Sequence, residues 1–200
     1  MIKNLIFDFG DVIIDLDKEG VPRALAGYGL SGADPELVSW ANQYEAGQMT
    51  STEFLDRLGN RLGEPDREVL VRHWNTTIRH LPEGRLEFLE NLRDSGGFRM
   101  FLLSNTNELH MACVARQLGE ETFSRLKACF EGFYLSYQIG MRKPEPGIFR
   151  HVLEENRLAP GETLFIDDTL EHILGARSLG IATWHLQVGQ EDVRELKNRL

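Results

Sequence analysis

Little in this chain points to a membrane, nucleic-acid or extracellular setting. It has only two cysteines, Cys113 and Cys129. Their separation offers neither a metal pair nor a disulfide framework, and a reduced, cytoplasmic compartment fits them. No apolar run approaches the roughly 18 residues that a membrane helix needs. The opening MIKNLIFDFG is too short, and charged too soon, for a signal peptide. Basic residues are the minority, 22 Lys and Arg against 31 Asp and Glu, for a net charge of -9. That balance excludes a broad surface for nucleic acid or anionic lipid. It leaves room for a small anionic ligand, because a few local cations or a metal can reverse the sign within one site. The six histidines show no metal spacing, and no repeat or low-complexity tract interrupts the chain.

Two hundred residues, 42% of them hydrophobic, suffice for one buried core with material left over for an insertion. Short continuous apolar runs at 3–8, 98–104, 163–167 and 181–186 predict buried strands. Helical patterns lie between them. Leu86, Leu89 and Leu92 recur on one face before a closing "SGG", and residues 145–156 and 169–179 also predict helices. Strands alternating with helices imply an α/β fold, a doubly wound parallel sheet covered on both faces. Residues 18–81 break the alternation with amphipathic segments near 19–28, 34–46, 51–62 and 66–79, the third opened by a Thr50–Glu53 capping box. An all-α insertion after the first strand would sit over the strand ends, where such sheets bind ligands.

The polar residues at those strand ends form a chemical set. Asp8 ends the first strand, Ser104 and Asn105 the second, and Asp167 and Asp168 another, while Lys143 stands in a loop before a helix. Three carboxylates around one point call for a hard cation, for which Mg²⁺ is suited. A hydroxyl, a backbone amide and a lysine suit a phosphate. An aspartate in such company can act as nucleophile and become an aspartyl-phosphate.

In this order, Asp8 in "FDFGDVI", Ser104 in "LLSNT", Lys143 in "MRKPEP" and the pair in "FIDD" resemble the four motifs of haloacid dehalogenase superfamily phosphatases. The stretch "GARSLGI" is also similar to that family. The likeness spans the whole chain, and the helical insertion resembles the family's type-one cap. Within the family, "FDFGDVIIDLD", "SNTNELH" and "LSYQIGMRKPEPGIF" most resemble bacterial sugar-phosphate phosphatases of the alpha-D-glucose-1-phosphate phosphatase kind. The resemblance implies a core of residues 1–17 and 82–200 and a cap of 18–81. It implies Asp8 as nucleophile and Mg²⁺ ligand, with the Gly10 carbonyl, Asp168 and Asp167 (directly or through water) completing the metal site. Ser104 and Asn105 would hold the phosphate, and Lys143 would bridge phosphate and Asp8. The substrate would be a small phosphorylated metabolite, and nothing separates a monomer from a homodimer.

One departure stands out. The family pattern places an acid two residues after the nucleophile, and here that residue is Gly10. Metal binding through a carbonyl survives the change, but a proton-transfer partner worth roughly 10²–10⁴-fold in rate is missing. Asp11 could replace it or could merely cap the turn, the reading favoured here. Cap candidates for specificity are Tyr44 and Glu45 above all, beside Trp40, Asn42, His73 and Trp74. Trp40 and Trp74 are expected to fill the cap core. Asp15 and Asp17 are expected in the hinge. Three competing readings remain: a metal-independent 2-haloacid dehalogenase, a non-catalytic phosphate-binding or regulatory protein, and a receiver domain, whose motif order differs.

Overall fold

The structure is a computed structural model that describes residues 1–30 and 34–200. Five parallel strands form one sheet in the order β3-β2-β1-β4-β5. They are β1 (Asn4–Phe7), β2 (Arg99–Ser104), β3 (Gly132–Leu135), β4 (Thr163–Asp167) and β5 (Ala182–His185). Four of them fall on the apolar runs. The fifth, β3, carries too short and glycine-led a sequence, GFYL, to read as a strand on its own, and its pairing with β2 makes it one.

Alternate residues of each strand feed opposite layers, as the period-two geometry of a strand requires. Leu5, Phe7, Leu102, Leu164 and Ile166 pack on one face against α5 (Arg85–Asp94), α6 (Glu108–Lys127) and the C-terminal 3₁₀ turn (Val193–Asn198). Ile6, Phe101, Leu103 and Phe165 pack on the other face against α8 (Pro146–Asn156) and α9 (Leu170–Arg177). The expected doubly wound sheet is therefore present. Helix α6 has no counterpart among the predicted segments. Its axis breaks at Gly119, which adopts φ 75°.

Between β1 and α5 lie four helices among the described residues: α1 (Gly20–Ala26), α2 (Pro35–Glu45), α3 (Ser51–Leu62) and α4 (Arg67–Trp74). They match the four amphipathic segments, except that the last ends at Trp74 and continues as a 3₁₀ turn, Asn75–Thr77. Asp34 caps α2, Asp66 caps α4, and Thr50 and Glu53 form the anticipated capping box on α3. These helices enclose their own apolar cluster, centred on Tyr44, Phe54, Leu58 and Trp74. Two linkers join them to the sheet as a short ribbon. Leu16 pairs with Ile78 across it, and the Asp17 N–H donates to the Thr77 carbonyl at 2.8 Å. Asp17 also pairs with Arg23 and Arg79. Asp15 receives the buried Arg85 guanidinium at 2.9 Å. Both aspartates thus stand in the linker between the sheet and the helices.

The insertion also approaches the sheet domain closely at Gly47. Gly47, with φ 67°, lies so close to Tyr137 on α7 (Ser136–Ile139) that a Cβ would come within 2.3 Å of the Tyr137 carbonyl oxygen. Only glycine fits that contact.

Candidate active site

Strand register assembles the centre of the site. Phe7 aligns with Ile166, so Asp8 and Asp167 follow at the same level on adjacent strands. The Asp8 N–H continues the ladder to the Ile166 carbonyl at 2.8 Å. Asp8 is 8% exposed and Asp167 fully buried. Between them lies the fully buried Lys143. Its ammonium has three protons and three acceptors: Asp8 Oδ1 at 2.6 Å, Asp167 Oδ2 at 2.7 Å and the Leu103 carbonyl at 2.9 Å. A buried cation with every donor matched to an acceptor is tolerated, whereas an unmatched one would not be.

Burial, aided by repulsion from Asp167, pushes the Asp8 carboxyl up to about 7 against the pull of Lys143. Asp167 feels burial too, but the Lys143 charge and the His172 hydrogen bond overcome it and hold the group at about 2. The two carboxylates share one lysine, and the repulsion between them falls on Asp8. Burial opposes the charge on Lys143, and the Asp167 and Asp8 carboxylates more than offset it, so the ammonium is retained.

Asp8, Asp167 and Asp168 each present an oxygen, and the three oxygens lie within 4.8 Å of one another. A cluster of hard carboxylate oxygens around a common point has the donor chemistry that Mg²⁺ takes. Around it stand supports that the sequence did not reveal. His172 Nδ1 lies 3.0 Å from Asp167 Oδ2, and the Thr169 N–H donates to Asp167 Oδ1 at 2.7 Å. Lys18, in the linker to the helices, reaches Asp168 Oδ2 at 2.7 Å. His172 sits one helical turn beyond the acidic pair, a spacing that could have suggested contact.

Ser104 is buried at the end of β2 and opens onto the same cleft as Gly10. At Asn105, expected beside the phosphate, both ends of the side-chain amide serve the Lys143 main chain. Its Nδ2 donates to the Lys143 carbonyl at 2.9 Å, and its Oδ1 accepts the Lys143 N–H at 2.8 Å. Its side chain therefore positions the lysine. Ser136 performs a similar service one residue on, where its Oγ accepts the Thr106 N–H at 2.9 Å.

Tyr44, expected to face the substrate, lies elsewhere. It is 2% exposed, stacks on Phe54 at 4.8 Å, and its hydroxyl is 2.6 Å from Ser51 Oγ. The ring fills the helical core and does not face the cleft. Glu45, its neighbour, does line the cleft, and Arg142 holds its carboxylate at 2.8 Å. Trp74 lies in the same core, as expected, and its indole donates to Asn107 Oδ1 at 3.3 Å. Trp40 packs against that core from its rim. His73 faces Tyr28, 3.3 Å from its hydroxyl.

The cleft between helices and sheet measures about 150 Å³. Phe9, Ile14, Leu16, Ile78 and Met111 give it apolar walls, while Ser104, Glu45 and His110 bring polar groups. Larger surface grooves exist, such as one of about 470 Å³ beside α5, but that groove has none of the strand-end groups. His110 is held on both sides, Nε2 at 3.2 Å from the Trp74 carbonyl and Nδ1 at 3.0 Å from Asn107 Nδ2. A carbonyl accepts only, so Nε2 carries the proton. Burial lowers the ring to about 4 and keeps it neutral.

Gly10 and Asp11 are now defined. A Cβ at Gly10 would come within 2.5 Å of Leu16 Cδ1, so Leu16 occupies the space a side chain there would need. Asp11 adopts φ 57°, and its Oδ1 accepts the Leu16 N–H at 2.9 Å. It caps the turn, as favoured above.

Known proteins resemble this chain in sequence and fold. The sequence profile of haloacid dehalogenase-like hydrolases matches residues 2–180. A D-ribitol-5-phosphate phosphatase from Bacteroides thetaiotaomicron is 32% identical over 98% of this chain and 97% of its own. The crystal structure of a variant HAD family enzyme from Bacteroides thetaiotaomicron, complexed with magnesium and inorganic phosphate, is 33% identical. It superposes with a TM-score of 0.84 over 96% of this chain and 97% of its own. A predicted HAD-like hydrolase from Porphyromonas gingivalis is 27% identical, with a TM-score of 0.86 over 100% and 98%. Profile, full-length identity and superposed fold agree with the ordered motifs at the strand ends, and the chain belongs to the haloacid dehalogenase-like hydrolases.

Proposed function

We propose that this protein is a Mg²⁺-dependent phosphatase of small phosphorylated metabolites, acting through an aspartyl-phosphate on Asp8. Residues 1–17 and 82–200 form the catalytic core and 18–81 its cap. The observation that carries the reading is Lys143, buried between Asp8 and Asp167 with all three protons matched. For a metal-independent dehalogenase, three carboxylates clustered without a divalent cation would be costly. A complete and supported set is equally hard to reconcile with a purely binding protein.

The ion would be held by Asp8, the Gly10 carbonyl and Asp168, with Asp167 directly or through water. Bound there, Mg²⁺ would neutralise charge between the carboxylate and phosphate and favour ionised Asp8. The chain's own residues do the rest. Ser104 Oγ and the main-chain N–H groups that follow it hold the phosphoryl oxygens. Asp8 forms the new oxygen–phosphorus bond as the bond to the leaving oxygen breaks. Lys143 remains against Asp8 and offsets the charge of the incoming phosphoryl group. Water then cleaves the aspartyl-phosphate and returns Asp8 as carboxylate. Asn105 fixes the lysine.

With Leu16 in the place of the missing acid, no side chain at position 10 can protonate the leaving oxygen. That favours leaving groups that depart readily, such as an anomeric hydroxyl in a sugar 1-phosphate. The phosphatase relative named for ribitol 5-phosphate brings primary-alcohol phosphates into consideration, and the small cleft excludes bulky groups in either case. Glu45, aimed by Arg142 into the cleft, would accept hydrogen bonds from substrate hydroxyls. The test is a Mg²⁺-dependent screen of phosphate release over anomeric sugar phosphates, alditol phosphates and triose phosphates, with Asp8→Asn as control. Release that requires both Mg²⁺ and Asp8 is expected. A primary-alcohol phosphate clearly preferred over the anomeric ones sinks the leaving-group argument, and no release from any ester sinks the phosphatase.

A further inference from the structure

Two lysines serve the carboxylate cluster, and they differ in kind. Lys143 is enclosed, while the Lys18 side chain is 62% exposed. Lys18 nevertheless takes two carboxylates, Asp168 Oδ2 at 2.7 Å and Asp11 Oδ2 at 3.1 Å. Neither contact is accidental in its geometry. Asp11 is 6% exposed, and its other oxygen is committed to the Leu16 N–H, so Oδ2 is aimed rigidly. The lysine follows directly on Asp17, which the hinge ribbon and two arginines hold in place.

We infer that Lys18 is an internal counter-ion of the metal site, anchored by Asp11, which Mg²⁺ must displace from Asp168 on binding. The inference rests on the proposed Mg²⁺ site. An ammonium and a divalent ion cannot both lie against one carboxylate oxygen without repulsion. Lys143 cannot yield, because leaving its place would strand buried charge. Lys18 can, because most of its side chain already meets water and its stem can swing outward at little cost. Asp11 thereby gains a role that the missing acid had suggested for it in another form: it positions a cation and does not transfer a proton. Because Lys18 is carried on the linker to the cap, occupancy of the metal site is linked to the hinge.

The test titrates MgCl₂ into the full-length protein by calorimetry at constant ionic strength and follows the Mg²⁺-induced rise in melting temperature, for wild type, Lys18→Met and Lys18→Arg. Removing the competitor should tighten Mg²⁺ binding about two- to fivefold, the scale of an exposed ion pair. The Mg²⁺-induced stabilisation should grow in step, while Lys18→Arg stays near wild type. Without Mg²⁺, Lys18→Met should melt slightly lower than wild type, because Asp168 loses its partner. Lys18→Gln repeats the measurement with a polar side chain if the methionine variant folds poorly. Unchanged or weaker Mg²⁺ binding in both neutral variants overturns the inference and leaves the phosphatase reading intact. Absence of Mg²⁺ binding in wild type and variants alike overturns the metal site and this inference with it.

Discussion

The strand-end cluster and the helical insertion solve opposite problems. The cluster is polar and buried, so each charge must be matched. Lys143 with its three acceptors and Asp167 with Thr169 and His172 show that matching. The insertion is apolar within, so shape fixes it: Tyr44 on Phe54, and Phe54 against Trp74 at 4.5 Å. The first makes a site whose chemistry tolerates little substitution. The second makes a helical unit that offers the cleft one carboxylate, Glu45. On the proposed function, reaction type would reside in the sheet and selectivity in the cleft between the two.

That division can be broken at four points, from the largest expected effect to the smallest. Replacing Lys143 with Met leaves Asp8 and Asp167 buried without their cation. Phosphate release should fall by roughly four orders of magnitude or more, and stability by about 3–5 kcal/mol. A folded Lys143→Met enzyme with near-normal turnover would remove the basis of the proposed mechanism. On the apolar side, Trp74→Ala should lower stability by about 3–5 kcal/mol in denaturant titrations, through the cavity and the lost bond to Asn107. A loss below about 1 kcal/mol would mean that the insertion is not held by this cluster.

The third point joins the two regions. Gly10→Asp with Leu16→Ala restores an acid and clears its space. Turnover of primary-alcohol phosphates should rise about 10²-fold relative to anomeric ones, while Gly10→Asp alone should gain less. No change in that ratio would show that position 10 does not govern the leaving group.

The fourth concerns His110, the polar latch between α6 and the insertion. Its folded value, about 4, lies below the ordinary 6.5. The unfolded chain therefore binds the extra proton between those values, and the His110 contribution, complete above 6.5, is lost as pH falls towards 4. The ring is partly accessible, so the loss should be on the order of 2 kcal/mol. Asp8, raised to about 7, binds its proton more tightly in the native state and contributes the opposite slope below that value. The difference between wild-type and His110→Gln stability curves isolates the histidine. Parallel curves from pH 7 to 4.5 would contradict the latch.

Much of the sheet and of its chemical residues was legible in the sequence. Apolar runs ending on Asp8, Ser104 and Asp167 mark strands, and a parallel sheet must bring their ends together. β3 was not legible, because a four-residue segment with a glycine becomes a strand only through its neighbour. That the Asn105 side chain serves the Lys143 main chain is not legible, because a turn amide looks alike whether it faces ligand or backbone. Tyr44 and Glu45 are adjacent on one helix, and nothing in their order along the chain says which one faces inward.

The sequence by itself determined the fold class, the ordered set Asp8, Ser104, Lys143 and Asp167–Asp168, and the absence of an acid at Gly10. Local patterning decides these, since strand ends, hydrophobic period and chain order are written residue by residue. Tertiary structure alone decided that Leu16 fills the space beside Gly10, that Asn105 serves the lysine, and that Lys18 and Asp11 flank Asp168. Those facts depend on side chains far apart in the chain meeting at one point, and no local pattern encodes which of several like residues arrives there.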